Sequence, residues 1–318
     1  MKDRNSFRGT SIDEDFAEAF KDSKFYTDIF DNHRNEIIIG VRDSSINLYY
    51  NCDSIASIGV GNPKQCKIDN YYTDREKEYL TEDEIVHYYD RIKANSDRRN
   101  KFEKQAQERL FIDNNNNIAS EWYCIDVEYT KSLKGKECAE DWRFDIIAIS
   151  KEKPFRVALI ELKYGFTAIG GTSGIRTHVK DFYSFFKDNS FEILKPEIVS
   201  IIKMLDLLGV KVPLSLKEIK EEDIAPVPEF YFIVLNNNPK ENSHNTPKKT
   251  TSGYLFNDKR WGCNRVSSLI KKEGDYFDLI EYCKSFRPVF LFSGATLPNL
   301  QIENILDKKY YDVEVVEV

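Results

Sequence analysis

Asp145 stands near the head of one apolar run, RFDIIAIS (143–150), and Glu161 and Lys163 stand at the end of the next, FRVALIELKY (155–164). Charged side chains are rare inside buried strands unless they are paired or held for chemistry. Side chains of an extended strand alternate between faces. Val157, Leu159, Glu161 and Lys163 therefore share one face, and Ala158, Ile160, Leu162 and Tyr164 share the other. The KEKP link at 151–154 suits an antiparallel hairpin, which lays the start of the first strand beside the end of the second. Asp145 then neighbours Glu161 and Lys163. Two carboxylates and an ammonium at one strand end suit phosphodiester hydrolysis. Carboxylate oxygens match Mg²⁺, which takes a few acidic ligands with waters and substrate phosphate. The ion activates water and stabilises charge on the phosphoryl oxygens. A lysine beside it orients the attacking water or stabilises the transition state. The competing reading is a cross-strand ion pair at a solvated strand end, which is common and contributes little.

Several elements must hold these residues in place. EWYCIDVEY (121–129) reads as a strand preceding the hairpin, and EFYFIVL (229–235) and RPVFLFSG (287–294) as later buried strands. RRNKFEKQAQERLFI (98–112) reads as a helix with Phe102, Ala106 and Leu110 on one stripe and Glu103 and Gln107 on a polar stripe beside it. GFTAIGGTSG (165–174) opens a further helix with Ile175, Val179, Phe182 and Phe186 as its core stripe. Another helix surrounds PEIVSIIKMLDLLG, with Pro196 near its start and Gly209 just past its end. From residue 97 the order is helix, three strands, helices, strand, helix, strand. That order implies a mixed sheet with helices on both faces.

Asp145, followed after 15 intervening residues by Glu161-Leu162-Lys163, in this order of elements resembles the PD-(D/E)xK nuclease superfamily. The resemblance covers roughly residues 97–235, with 293 as its outer bound. Phe144 precedes Asp145 where the motif name has proline. The resemblance implies an α/β (α+β) chain with a restriction-endonuclease-like mixed central sheet, acting as a nuclease that hydrolyses phosphodiester bonds in DNA. It implies Mg²⁺, with Mn²⁺ as a substitute, held by Asp145 and Glu161 and helped by the Leu162 carbonyl. Lys163 would position water or stabilise charge. It also implies an acid from the preceding helix, for which Glu103 is the choice and Glu108 the rival. His178, Arg176 and Lys180, on the helix after the hairpin, and Gln107 are the expected nucleic-acid contacts. Restriction, defence and repair are the contexts that go with such an enzyme. The alternative is a non-catalytic nucleic-acid-binding or protein-interaction module on the same fold.

Other polar features carry less. Asp126 and Glu128 fall on one face of the 121–129 strand, with Trp122 and Cys124, and are expected to pair with basic residues across the sheet. The glycine-rich turn before the 175 helix can present N–H groups to phosphate but lacks the G-K-[ST] of a P-loop. The polar segment 236–265 carries Lys240, Lys248, Lys249, Lys259, Arg260 and Arg265 against Glu241 and Asp258, with Tyr254, Phe256 and Trp261 interleaved. It reads as a solvated loop or as a grip on a nucleic-acid backbone.

Residues 1–96 lie outside the resemblance and read as a small α+β region, with residues 97–318 as the nuclease-like domain. One or two short helices are expected over 12–30. EIIIGV, INLYYN and SIASIGV form a β-meander after them. Thr81 and Glu84 form a capping box for a helix that ANSD (94–97) is expected to interrupt.

The 318 residues, 41% hydrophobic and 31% charged, fit a soluble globular protein. No apolar run approaches a membrane span and no signal segment opens the chain, so a cytoplasmic protein is expected. The net charge of -7 argues against a protein that coats nucleic acid non-specifically. The six cysteines and four histidines form no C-x-x-C or H-E-x-x-H, which disfavours a zinc site. A homodimer is compatible with all of this.

Overall fold

A computed structural model describes residues 8–99, 101–131, 142–165, 175–236, 282–292 and 302. The described chain forms two five-stranded sheets with several helices. The first sheet holds β1 (Ile38–Val41), β2 (Ser45–Tyr50), β3 (Asp53–Gly59), β4 (Gln65–Lys67) and β5 (Tyr79–Thr81), in sequence order and antiparallel. The meander read from the sequence is β1–β3. The last two strands, three residues each, are too short to leave a periodic signal. Before the sheet lie helix α1 (Glu14–Lys21), capped by Asp13, and a π-helical turn, Phe25–Phe30.

Thr81 and Glu84 form the expected capping box of α2 (Glu82–Arg98). The interruption expected at 94–97 is absent. Asn95 and Ser96 continue the helix because their side chains find partners elsewhere, Asn95 Nδ2 on the Tyr72 carbonyl and Ser96 Oγ on Asp53. Those bonds remove the competition with the backbone that makes such residues poor helix formers.

Helix α3 (Phe102–Asn116) leads into the second sheet. Its strands are β6 (Trp122–Lys131), β7 (Trp142–Ser150), β8 (Val157–Tyr164), β9 (Glu229–Leu235) and β10 (Val289–Phe292), in the order β10-β9-β8-β7-β6. β6, β7 and β8 are antiparallel, whereas β9 and β10 run parallel to β8. α4 (Ile175–Lys187) and α5 (Phe191–Leu207) lie in the crossover that parallel pairing of β8 with β9 requires. α5 begins a turn earlier than its proline suggests, so Pro196 lies inside it. Gly209, just past its end, has φ +79°, and a Cβ there would stand 2.6 Å from the Tyr26 hydroxyl.

The alternation of β8 divides the core. Ala158, Ile160 and Leu162 pack with Ala106 and Leu110 of α3. Val157 and Leu159 join Val179 and Phe182 of α4 and Ile198 and Ile202 of α5. Phe185 completes the buried stripe of α4, while the expected Phe186 is partly buried. The second cluster continues without a break into Phe20, Ile46 and Ile85 of the N-terminal region. Among the described residues no helix is long and apolar enough to cross a membrane.

Candidate functional site

The β7–β8 ladder runs from Ile149↔Val157 to Ile146↔Ile160 and stops there. β8 meanwhile stays paired to β9 as far as Tyr164↔Leu235. The end of β8 is thus held on one side only, at the step where Asp145 would meet Glu161. Asp145 uses its carboxylate in place of a ladder bond: Leu162 N–H donates to Asp145 Oδ2 at 2.7 Å. That bond ties the Asp145 side chain to the backbone of the residue whose carbonyl is expected to help hold a metal.

Glu161 and Lys163 are neighbours on one face, as alternation requires, with Lys163 Nζ 2.7 Å from Glu161 Oε1. Helices on either side complete the group. His178 Nε2 of α4 lies 2.9 Å from the same Glu161 oxygen. Glu103 Oε1 of α3 lies 3.1 Å from Lys163 Nζ. Glu161 and Lys163 are buried, Asp145 is half-buried, and the Glu103 side chain is 38% exposed. Solvent therefore reaches the group from the Asp145 and Glu103 side.

The charges are unequally balanced. Burial pushes the Asp145 carboxyl well above its usual range, and the charge of Glu161 pushes it further. Burial acts on Glu161 in the same sense, but the His178 hydrogen bond and the Lys163 charge outweigh it and hold Glu161 below its usual range. Burial alone would lower Lys163, yet Glu161, Asp145 and Glu103 together raise it. Lys163 is a fixed ammonium, suited to stabilising negative charge and not to abstracting a proton. At Asp145 the Lys163 charge and the Leu162 N–H offset burial and the Glu161 charge only in part.

That imbalance tests whether a metal ion suits the site. Among the described residues no cluster of three or more His, Cys, Asp or Glu side chains is arranged to hold one. Asp145 and Glu161 still offer hard oxygen donors side by side, and Mg²⁺ is commonly held by one or two carboxylates with waters and substrate oxygens. A cation there would relieve the cost of ionising Asp145. The donor set fits.

Glu108, the rival acid on α3, turns away from this group and accepts the Cys52 N–H at 2.9 Å through Oε2. Burial drives its carboxyl up to about 8. Gln107 is 1% exposed, with Oε1 buried and lacking a hydrogen-bond partner. Lys180 is half-buried on α4, and the side chain of Arg176 lies outside the described residues. So do the glycine-rich turn at 166–174 and the basic segment from 237 to 265.

Asp126 leaves the face of Trp122 and Cys124 that strict alternation assigns it, whereas Glu128 returns to the α3 side beside Lys104. The register shifts between Cys124 and Asp126, and Glu128 has φ +50°. A bulge and a left-handed residue each turn the strand over. Asp126 pairs with Arg8 at 2.9 Å and Arg42 at 2.8 Å, and Glu128 lies 3.4 Å from Lys104. The expected bases are present, but they come from outside the second sheet.

Four-residue spacing puts Phe102 on the core stripe with Ala106 and Leu110. Its ring is 48% exposed and lies beside Tyr164. Four-residue spacing alone does not reveal that the first turn of α3 overhangs the sheet.

Comparison of the chain with family models, curated proteins and solved structures finds no match.

Proposed function

We propose that this chain is a metal-dependent nuclease of the restriction-endonuclease-like type, hydrolysing phosphodiester bonds in DNA. The observation that carries the reading is the position of Asp145, at the step where β7 and β8 part, beside Glu161 and Lys163. Asp145 and Glu161 would hold Mg²⁺ or Mn²⁺, which supplies an activated water and a Lewis acid for the phosphoryl oxygens. The Leu162 N–H fixes the rotamer of Asp145. Lys163, held cationic by three carboxylates, stabilises charge developing on the phosphate. Glu103 draws the Lys163 ammonium toward the exposed side, and His178 orients Glu161.

The burial of Glu161 and Lys163, each satisfied by the other, supports a second reading: a non-catalytic interaction module whose ion pairs serve the fold. A cleavage panel with circular and linear DNA and with RNA, each with Mg²⁺ or Mn²⁺, separates the two. Cleavage by the wild type that is lost in both Asp145→Ala and Lys163→Ala is the expected result. Intact substrates throughout, or an Asp145→Ala variant as active as wild type, would leave the interaction module as the better account.

A further inference from the structure

The first turn of α3 carries an aromatic and cationic surface that the proposed chemistry does not use. Phe102 is 48% exposed. Its ring centroid lies 5.9 Å from that of Tyr164, with 30° between the planes. Both rings are tied to the site by the chain itself: Phe102 precedes Glu103, Tyr164 follows Lys163, and Glu103 and Lys163 are joined at 3.1 Å. The exposed Phe102 ring beside Tyr164 offers a flat aromatic face next to the charged group.

The cations lie where α2 ends and α3 begins. Arg99, Lys101 and Lys104 stand 3.4, 3.6 and 3.6 Å from a single oxygen, Oδ1 of Asp53. Asp53 is buried at the head of β3, whereas the three cations keep 33%, 39% and 27% of their side-chain exposure. Glu128 lies near Lys104 as the second carboxylate in contact with the three. Cations that stay part-exposed while converging on one buried oxygen can also meet a phosphate. The N-terminal sheet builds the cluster. The tight turn between β2 and β3 puts both Asn51 and Cys52 at positive φ, and α3 holds that turn through Glu108. Asp53 follows immediately and gathers the cations.

We infer that this surface binds a nucleotide next to the scissile phosphate, with its base stacked on Phe102 and a neighbouring phosphate held by Arg99, Lys101 and Lys104. Only the word scissile rests on the nuclease reading. A paired base in a duplex has both faces covered by its neighbours, so a protein ring stacks only where a base is unpaired. The substrate class is therefore single-stranded DNA, or DNA with an unpaired base at that step.

The full-length chain, in EDTA so that nothing is cut, is titrated into a single-stranded oligonucleotide carrying one 2-aminopurine and into the same sequence as a duplex. Stacking on Phe102 quenches the probe in the single strand. Phe102→Ala is expected to weaken single-strand binding by about tenfold and to remove the quenching, while Phe102→Tyr keeps both. Lys101→Ala is expected to weaken binding and flatten its salt dependence with the quenching intact. Equal binding and quenching by Phe102→Ala and wild type overturns the inference. So does an equal loss on duplex, or a wild type that binds neither DNA. Parallel cleavage assays keep the two ideas apart. Quenching without cleavage removes the nuclease and leaves the stacking surface; cleavage with Phe102→Ala unchanged does the reverse.

Discussion

Asp126 on β6 and Asp145 on β7 are acids on neighbouring strands of one sheet, and their surroundings differ in kind. Asp126, fully buried, receives Arg8 on one oxygen and Arg42 on both. Arg42 is itself fixed by the Tyr49 hydroxyl and the Val127 carbonyl. Asp145 accepts one backbone N–H, and its neighbours are the Glu161 carboxylate and the Lys163 ammonium that Glu161 and Glu103 also engage. The first acid is saturated, and its bonds tie the N-terminal region to the second sheet. The second is an acid whose ionisation the fold compensates only in part. Perturbed groups in a cleft are candidates for chemistry, whereas saturated ones are mostly structural.

Removing each acid should separate the two. Asp126→Ala leaves two arginines facing a cavity, and breaking a buried pair by removing one partner costs about 3–5 kcal/mol. A urea titration of the full chain should show that loss as a lower midpoint. Asp145→Ala should instead lower cleavage by on the order of 10³-fold or more, with the midpoint unchanged or raised. Equal unfolding in both variants would erase the contrast.

A second contrast is in pH. Asp145 and Glu108 both have carboxyls raised by burial, Glu108 to about 8. A raised acid binds its proton more tightly in the folded chain than in the unfolded one. Its stabilising contribution is complete below the unfolded value and is lost as pH rises towards the folded value. Stability should therefore fall between about pH 4.5 and 8, by at most about 1.4 kcal/mol per pH unit for Glu108. Glu108→Gln should flatten that slope in urea titrations run across this range. Glu161 has the opposite sign: its carboxyl is depressed, so its contribution is lost as pH falls through its folded value. A Glu108→Gln slope identical to wild type would show that this acid ionises freely.

The smallest effect belongs to Glu103. Its side chain is 38% exposed, so its pair with Lys163 should contribute less than about 1 kcal/mol to stability. Glu103→Gln is expected to leave the urea midpoint in place and to slow cleavage by about tenfold. A midpoint shift as large as that of Asp126→Ala would place Glu103 among the structural acids.

The legible parts of the site were those governed by local backbone geometry. The shared face of Glu161 and Lys163 follows from the two-residue period of a strand, and the hairpin that brings Asp145 to them follows from a short link. The capping box of α2 was legible for the same reason. Glu103 was preferred to Glu108, but helical spacing fixes only which residues align and not which stripe faces the site. Packing of Ala106 and Leu110 under the sheet sets that rotation. Asp126 was misplaced because a bulge between Cys124 and Asp126 breaks the alternation, and a bulge leaves no sequence mark.

The amino-acid sequence by itself determined a mixed α and β chain, the hairpin of β7 and β8, and the alignment of two acids and a lysine at its end. Those features depend on neighbours within a few residues, where backbone period and turn chemistry suffice. Only the tertiary structure decided which acid is saturated and which is not. The bases on Asp126 come from 118 and 84 residues away along the chain, and the partner of Lys163 from 60. Charge compensation at that range depends on how helices and sheets close around one another, which no local pattern encodes.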